Sequence, residues 1–69
     1  MDLAKAYELY LESANGGYGK GMELIGRFYN RGIYVEKDRA TAEYWLRKAI
    51  ESGDAEAAVE AEKELNREE

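Results

Sequence analysis

Apolar side chains recur along this chain at three- and four-residue spacings in four separate stretches, the spacing of one face of an α-helix. The first stretch follows Asp2, which can cap a helix, and ends at the run Asn15-Gly16-Gly17. The second covers about residues 19–30 and stops at Gly32. These stretches predict two amphipathic helices, with inward faces formed by Leu3, Ala6, Tyr7, Tyr10 and Ala14 on the first and by Met22, Ile25, Phe28 and Tyr29 on the second, with Leu24 beside them.

The third and fourth stretches each begin at an aspartate. Asp38 precedes a predicted helix that runs to about Glu51, and Asp54 begins the last one after Ser52-Gly53. Residues 32–37 have the composition of a short strand, but a lone strand has nothing to pair with, so we expect an extended connector. The predicted inward residues are Ala42, Trp45, Ala49 and Ile50, with Leu46 flanking, and then Ala58, Ala61 and Leu65.

Glycine is unusually frequent in the second predicted helix. Gly19, Gly21 and Gly26 lie in or near it, and each costs about 1 kcal/mol relative to alanine in a helix interior. Glycines retained at that cost predict a close approach of a neighbouring backbone or side chain.

A shift of 36 residues superimposes the first part of the chain on the second. Helix caps, small residues and helix ends then coincide, with Asp2 on Asp38, Ala6 on Ala42, Leu9 on Trp45, Gly17 on Gly53, and Gly19 and Gly21 on Ala55 and Ala57. A period of this length is typical of helical solenoids, in which neighbouring hairpins bury each other's apolar faces.

The ordered set of these residues resembles the Sel1-like repeats, which are relatives of the tetratricopeptide repeats. The matching positions are Ile25-Gly26 and Tyr29, then Gly32 and Val35 in the loop, and then Asp38, Ala42, Trp45, Ala49 and Gly53. The resemblance implies a single all-α domain over residues 1–69. It implies a short α-solenoid of about four antiparallel helices, in two hairpins with right-handed superhelical stacking. It also implies a non-catalytic adaptor or scaffold that binds another protein or peptide.

Two departures from the family pattern change the expectations. Tyr34 stands where the loop has a second glycine, and Ala61-Glu62 stands where Leu-Gly is expected. The chain is expected to open in the second helix of one repeat and to close in the first helix of another. The acidic last helix then suits a polar cap. Tyr7 or Leu11 would be partly bare on the first helix, which favours weak self-association.

Composition excludes several classes of chemistry. The 69 residues include no cysteine and no histidine, so there is no disulfide framework, no Cys or His zinc site and no Ser-His or Cys-His nucleophile pair. We expect no enzyme activity and no cofactor. Neither a signal-like N-terminus nor a membrane-length apolar run is present, which indicates a cytoplasmic protein. A chain this short has a marginal core, worth roughly 3–5 kcal/mol.

The net charge of −5 comes from one segment. Residues 1–53 carry eight acidic and eight basic side chains, so the excess lies in residues 54–69. This distribution argues against direct nucleic-acid binding, which requires a positive surface. It leaves a second interpretation open, in which a small, for example phage-encoded, acidic protein mimics nucleic acid and blocks a nucleic-acid enzyme. Glu60, Glu62 and Glu64 would then carry the mimicry, whereas the simpler interpretation is a solvated helix.

Two groups of residues are candidates for a partner-binding surface. Lys20, Arg27 and Arg31 share one face of the second helix, with Glu23 one turn before Arg27. They form either a polar groove for an acidic or carboxylate-bearing peptide or a solvated face of mixed charge. In the connector, Ile33 and Tyr34 form either an exposed aromatic anchor or, with Val35, a seal over the helix ends. Tyr18, in the first connector, is a weaker candidate for the same two roles. The remaining aromatic residues are predicted to pack in the core, with Tyr44 the most exposed of them: Tyr7, Tyr10, Phe28, Tyr29, Tyr44 and Trp45.

Overall fold

Four α-helices account for most of the chain. The computed structural model describes residues 2–67. The helices are α1 (Leu3–Asn15), α2 (Gly19–Arg31), α3 (Arg39–Glu51) and α4 (Ala55–Leu65), and no strand occurs among the described residues. The all-α prediction is confirmed, and the connector between α2 and α3 is a loop as expected.

Three of the helices begin at the predicted aspartate caps. In each case the Oδ1 atom of the aspartate accepts a hydrogen bond from the backbone N–H group three residues further along the chain. The distances are 3.2 Å for Asp2, 3.1 Å for Asp38 and 3.2 Å for Asp54. Each bond satisfies a donor that the first turn of a helix leaves unpaired. At the end of α2, Gly32 adopts the left-handed conformation with φ 67°, which glycine reaches without steric cost.

Helix α2 is the centre of the arrangement. It contacts α1, α3 and α4, whereas α1 contacts only α2 within residues 2–67. Helix α4 packs on both α2 and α3. Helix α4 thus lies against α2, two helices earlier in the chain, as well as against its neighbour α3. This is the contact pattern of a short helical solenoid, as the 36-residue offset predicts.

The core contains the predicted residues of α2 and, from α3, the predicted Ala42 and Ala49 together with Leu46. Ile25, Ala42, Leu46 and Ala49 are fully buried. Leu46, predicted to flank the core, lies at its centre, and Trp45 and Ile50 are half-buried at its edge. Trp45 packs against the core as predicted but is less buried than expected, because α3 turns Leu46 towards Gly26, where a missing side chain leaves room for it.

The inward face of α4 also differs from the prediction. Ala57 and Ala61 are buried, while Ala58 and Leu65 are only partly covered. Glu64, expected in solvent, is 4% exposed. The buried side chains of α4 are therefore two alanines and a carboxylate, with Leu65 packed against the edge of the core.

The prediction of close approach at the α2 glycines is confirmed. A Cβ atom placed on Gly26 would lie 2.6 Å from Cγ and Cδ2 of Leu46, and one on Gly21 would lie 2.6 Å from the backbone N of Ala14. These distances are shorter than van der Waals contact. The two glycines let α3 and α1 pack against opposite sides of α2.

Candidate protein-interaction surface

The basic side chains of α2 lie on one face, as predicted, but Glu23 lies beneath them. Its carboxylate is fully buried, with Oε2 2.7 Å from Nη2 of Arg27 and Oε1 3.7 Å from Nζ of Lys20. Neither oxygen accepts a well-oriented hydrogen bond from a described residue, so the two cations act mainly as counter-charges. A buried carboxylate requires such compensation. Glu23 thus positions the cations and has no surface of its own for a partner.

Glu64 of α4 is the second counter-charge on this face. Arg31 donates to it from Nε and Nη2, at 3.0 and 2.8 Å, and Asn30 donates from Nδ2 at 2.8 Å. Burial raises the pKa of Glu64, but these hydrogen bonds and the charges of Arg31 and Arg27 outweigh burial and leave the pKa below its usual value. Helix spacing gave no sign of this site, because Asn30 and Glu64 lie far apart in the sequence.

The acidic last helix is therefore partly neutralised by the basic face of α2. Of the three carboxylates assigned to the decoy interpretation, Glu64 is buried and Glu60 lies 3.8 Å from Nζ of Lys63. Glu62 is exposed. Glu64 is turned into the contact between α2 and α4.

Arg39 joins the start of α3 to the end of α4. Its Nη1 donates to Oδ1 of Asn30 at 2.7 Å, its Nη2 to the carbonyl of Leu65 at 2.8 Å and its Nε to Glu43 at 3.0 Å. An open cavity of about 270 Å³ lies beside it and is lined by Asn30, Lys37, Arg39 and Arg67. Through these hydrogen bonds Arg39 connects the start of α3 to α2 and to the end of α4.

The connector residues divide between the two predicted roles. Ile33 and Val35 are half-buried, whereas Tyr34 is 55% exposed. Tyr34 has a φ of 66°, a left-handed conformation that costs a residue with a Cβ atom about 1–2 kcal/mol relative to the right-handed region. The repeat pattern has a glycine at position 34, and a glycine there would adopt this conformation without strain.

Aromatic side chains hold Tyr34 in place. Its ring centroid lies 5.4 Å from that of Tyr7, and Tyr7 is in turn 6.2 Å from Phe28. The hydroxyl groups of Tyr7 and Tyr29 share a hydrogen bond of 2.8 Å. This hydrogen bond and partial burial raise the pKa of Tyr7 to about 12. Tyr34 is thus an exposed ring on a supported aromatic platform.

Comparison with known families identifies the architecture. Residues 2–18 and 19–54 match the Sel1 repeat, and together they cover more than half of the chain. The chain belongs to the Sel1 repeat family. The second Sel1 match contains α2 and α3 and has the length of the 36-residue offset, while α4 lies beyond it. Neither curated proteins nor solved structures give a significant match.

Membership in the Sel1 family carries a general function. Sel1 repeats generally mediate protein–protein interaction and are typically non-catalytic modules. No helix within residues 2–67 of this Sel1 chain has the length and apolar character needed to cross a bilayer.

Proposed function

We propose that this Sel1 chain is a non-catalytic, cytoplasmic adaptor that binds an acidic or carboxylate-bearing segment of another protein. The binding surface consists of the basic face of α2 and the following connector, with Lys20, Arg27, Arg31, Ile33 and Tyr34 at the surface and the buried Glu23 holding Lys20 and Arg27 in position. The observation that carries the proposal is the conformation of Tyr34.

Tyr34 combines three properties of an interaction anchor. It is exposed, it is held against Tyr7, and its backbone is strained. Strain at a solvent-facing aromatic residue points to a role beyond folding, since glycine at this position would remove the strain. Tyrosine is enriched among the residues that dominate protein–protein binding, because its rigid ring buries a large area at low entropic cost.

The basic face supplies the charge complement. Lys20 has 56% of its side chain exposed, and its distance of 3.7 Å from Glu23 makes their pairing weak. Arg31 has 35% of its side chain exposed beyond its contact with Glu64. A carboxylate on a partner would gain from both cations. Glu23 and Glu64 hold the guanidinium groups in position, which reduces the entropy lost on binding.

The experiment is affinity capture from the cells that make the protein, with quantitative mass spectrometry, for wild type and Tyr34→Asn. Asparagine tolerates the left-handed region, so the variant should keep the fold. The matched control is Tyr18→Asn. Tyr18 is 69% exposed at the other end of α2, where asparagine suits the N-cap position.

A specific partner should be captured at least tenfold less by Tyr34→Asn, as expected for a loss of about 1.4 kcal/mol or more at an anchor residue. Capture by Tyr18→Asn should match wild type, and capture should weaken as salt is raised. Equal capture by wild type and Tyr34→Asn would remove the connector from the binding surface. Capture that does not respond to salt would remove the basic face.

A further inference from the structure

An open cavity lies where the end of α2, the start of α3 and the end of α4 meet, and its lining is mainly basic. Lys37 lines it from the connector before α3, Arg39 from the first turn of α3, and Arg67 from the chain just after α4. The fourth lining residue, Asn30, is buried in the last turn of α2. Among residues 2–67 the lining thus has three basic residues and no acidic one, in a chain whose net charge is −5. We call this space the basic cavity.

The guanidinium group of Arg39 is fixed at the wall of the basic cavity. Its Nε, Nη1 and Nη2 atoms donate to Glu43, to Asn30 and to the Leu65 carbonyl, at 3.0, 2.7 and 2.8 Å. A guanidinium group has five N–H donors, so these contacts within residues 2–67 leave one N–H on each Nη atom for a ligand. The side chain is 45% exposed and can be reached from solvent. Because the group is already held in place, little entropy is lost when it binds a ligand.

Three described carboxylates contact the lining residues or adjoin them in the sequence, and each of them is engaged elsewhere. Glu64 is held by Arg31 through two hydrogen bonds. Glu43 lies 3.8 Å from Nη2 of Arg47, in addition to its pairing with the arginine of the cavity. Asp38 accepts two hydrogen bonds in the first turn of α3. Among the described residues, the basic groups of the cavity therefore outnumber the acidic groups beside it.

The size and charge of the basic cavity suit a small anion with more than one negative charge. Its volume is about 270 Å³, just below the range of roughly 300–1,000 Å³ that is typical of pockets for drug-sized ligands. A phosphate group presents several oxygens and up to two charges, and guanidinium groups match its oxygens in a bidentate manner. A carboxylate has two oxygens and a single charge, so it would engage fewer of the available donors.

We propose that the basic cavity binds a phosphate group through Lys37, Arg39 and Arg67. Arg39 donates from the remaining N–H groups of Nη1 and Nη2, while Lys37 and Arg67 approach the ligand from the connector and from the end of α4. Asn30 is a positioning residue, because its Oδ1 accepts from Arg39 and its Nδ2 donates to Glu64. None of the three binding residues belongs to the proposed protein-binding surface, so either proposal can fail without the other.

The test is a titration of the full chain with sodium phosphate at neutral pH, followed by ¹H–¹⁵N NMR. Sodium chloride holds the ionic strength constant at about 50 mM, so that general screening of charge does not change during the titration. We expect saturable binding with a dissociation constant on the order of 1 mM, and the largest shifts at Nε–H of Arg39 and at the amides of Lys37 and Arg67. Sodium acetate should bind at least about fivefold more weakly, because it has a single charge.

Lys37→Gln and Arg67→Gln should each raise the dissociation constant for phosphate about fivefold or more, because each removes one of three charged donors. Both side chains are exposed, so the fold should be retained, and circular dichroism of each variant verifies this. The matched control is Lys63→Gln, which removes an exposed cation of α4 one turn before Arg67 and outside the cavity lining. Its dissociation constant should stay within about twofold of wild type.

Glycerol phosphate, titrated in the same way, identifies the source of the phosphate group. Binding as tight as that of inorganic phosphate indicates a phosphomonoester whose organic part leaves through the open side of the cavity, whereas binding about tenfold weaker indicates the free ion. Both results support the site. Shifts that do not saturate with phosphate, acetate binding as tight as phosphate, or equal weakening by Lys63→Gln and Arg67→Gln would each overturn the proposal.

Discussion

Arg31 holds the carboxylate of Glu64 with two parallel hydrogen bonds, from Nε to Oε2 at 3.0 Å and from Nη2 to Oε1 at 2.8 Å. This bidentate pair joins α2 to α4 across 33 residues of sequence. The fully buried apolar side chains of α4 are alanines, so polar contacts such as this pair form an important part of its attachment. The same pair fixes Arg31 at the edge of the proposed binding surface.

Removal of the Glu64 carboxylate should destabilise the fold. Glu64→Ala leaves Arg31 and Asn30 without their acceptor in a largely buried site, and we expect a loss of about 2 kcal/mol. This value lies below the range for fully buried pairs because Arg31 is partly solvated. Urea denaturation measures the loss. Glu62→Ala, two residues earlier on the exposed side of α4, is the control and should change the free energy of unfolding by less than about 0.5 kcal/mol. Similar losses in both variants would contradict a special role for Glu64.

The Glu64 contact should weaken in acid. Its folded-state pKa is lowered, so between that value and the ordinary glutamate pKa of about 4.3 the unfolded chain binds more protons. The stabilisation is therefore fully present above about pH 4.3 and is lost as pH falls through the folded-state pKa. The stability difference between wild type and Glu64→Gln, measured by urea denaturation from neutral to acid pH, should shrink over this range. A difference that stays constant would show that the charge of Glu64 is irrelevant.

The hydroxyl group of Tyr7 should lose its proton at a higher pH than an ordinary tyrosine, and its ionisation should lower the stability of the fold in alkali. Its pKa of about 12 lies above the ordinary tyrosine value of about 10, so the folded state retains the proton longer. The corresponding stabilisation is present below about pH 10 and is lost as pH rises towards 12. Tyr29→Phe removes the hydrogen bond and should bring the pKa of Tyr7 closer to 10, as measured by tyrosinate absorbance. An unchanged titration curve in Tyr29→Phe would contradict the assigned cause.

Gly26→Ala should be destabilising even though alanine favours helix formation. The added Cβ would meet Cγ and Cδ2 of Leu46 at 2.6 Å, and Leu46 is fully buried and has no free space to enter. Overpacking of this kind costs about 1–3 kcal/mol, which exceeds the helix-propensity gain of about 1 kcal/mol. Thermal unfolding measures the result. The control is Gly16→Ala, where the nearest contacts are at 3.4 Å and φ is −80°, and it should be neutral or mildly stabilising. Stabilisation of Gly26→Ala would show that α3 can shift away.

Interactions between residues close together in the sequence determine where the helices of this fold begin and end. Aspartate caps marked the starts of three helices, and glycine marked the end of α2, because the groups at a helix terminus are satisfied by residues only a few positions away. The costly glycines of α2 signalled close packing without saying against what. The 36-residue offset was enough to predict stacked hairpins, since it repeats caps and small residues in the same order.

The candidate site depended on contacts that no local pattern contains. Lys20, Arg27 and Arg31 were found from their spacing, but the same spacing could not show that Glu23 is buried beneath them. The left-handed backbone of Tyr34 was equally hidden, because tyrosine occurs in both extended and turned connectors. A hydrogen bond from the Val35 N–H to the Ile33 carbonyl, at 2.7 Å, spans Tyr34, and the ring of Tyr7, from another helix, packs against its side chain.

The sequence by itself determined four amphipathic helices, their order and their membership in a repeat, because these follow from interactions within a few residues and from a constant offset. The tertiary structure alone decided that Leu46 rather than Trp45 fills the centre and that Glu64 is a buried partner of Arg31 rather than a solvated acid. The physical reason is that burial is set by the residue opposite. For Leu46 that residue is Gly26, twenty positions away, and for Glu64 it is Arg31, thirty-three positions away.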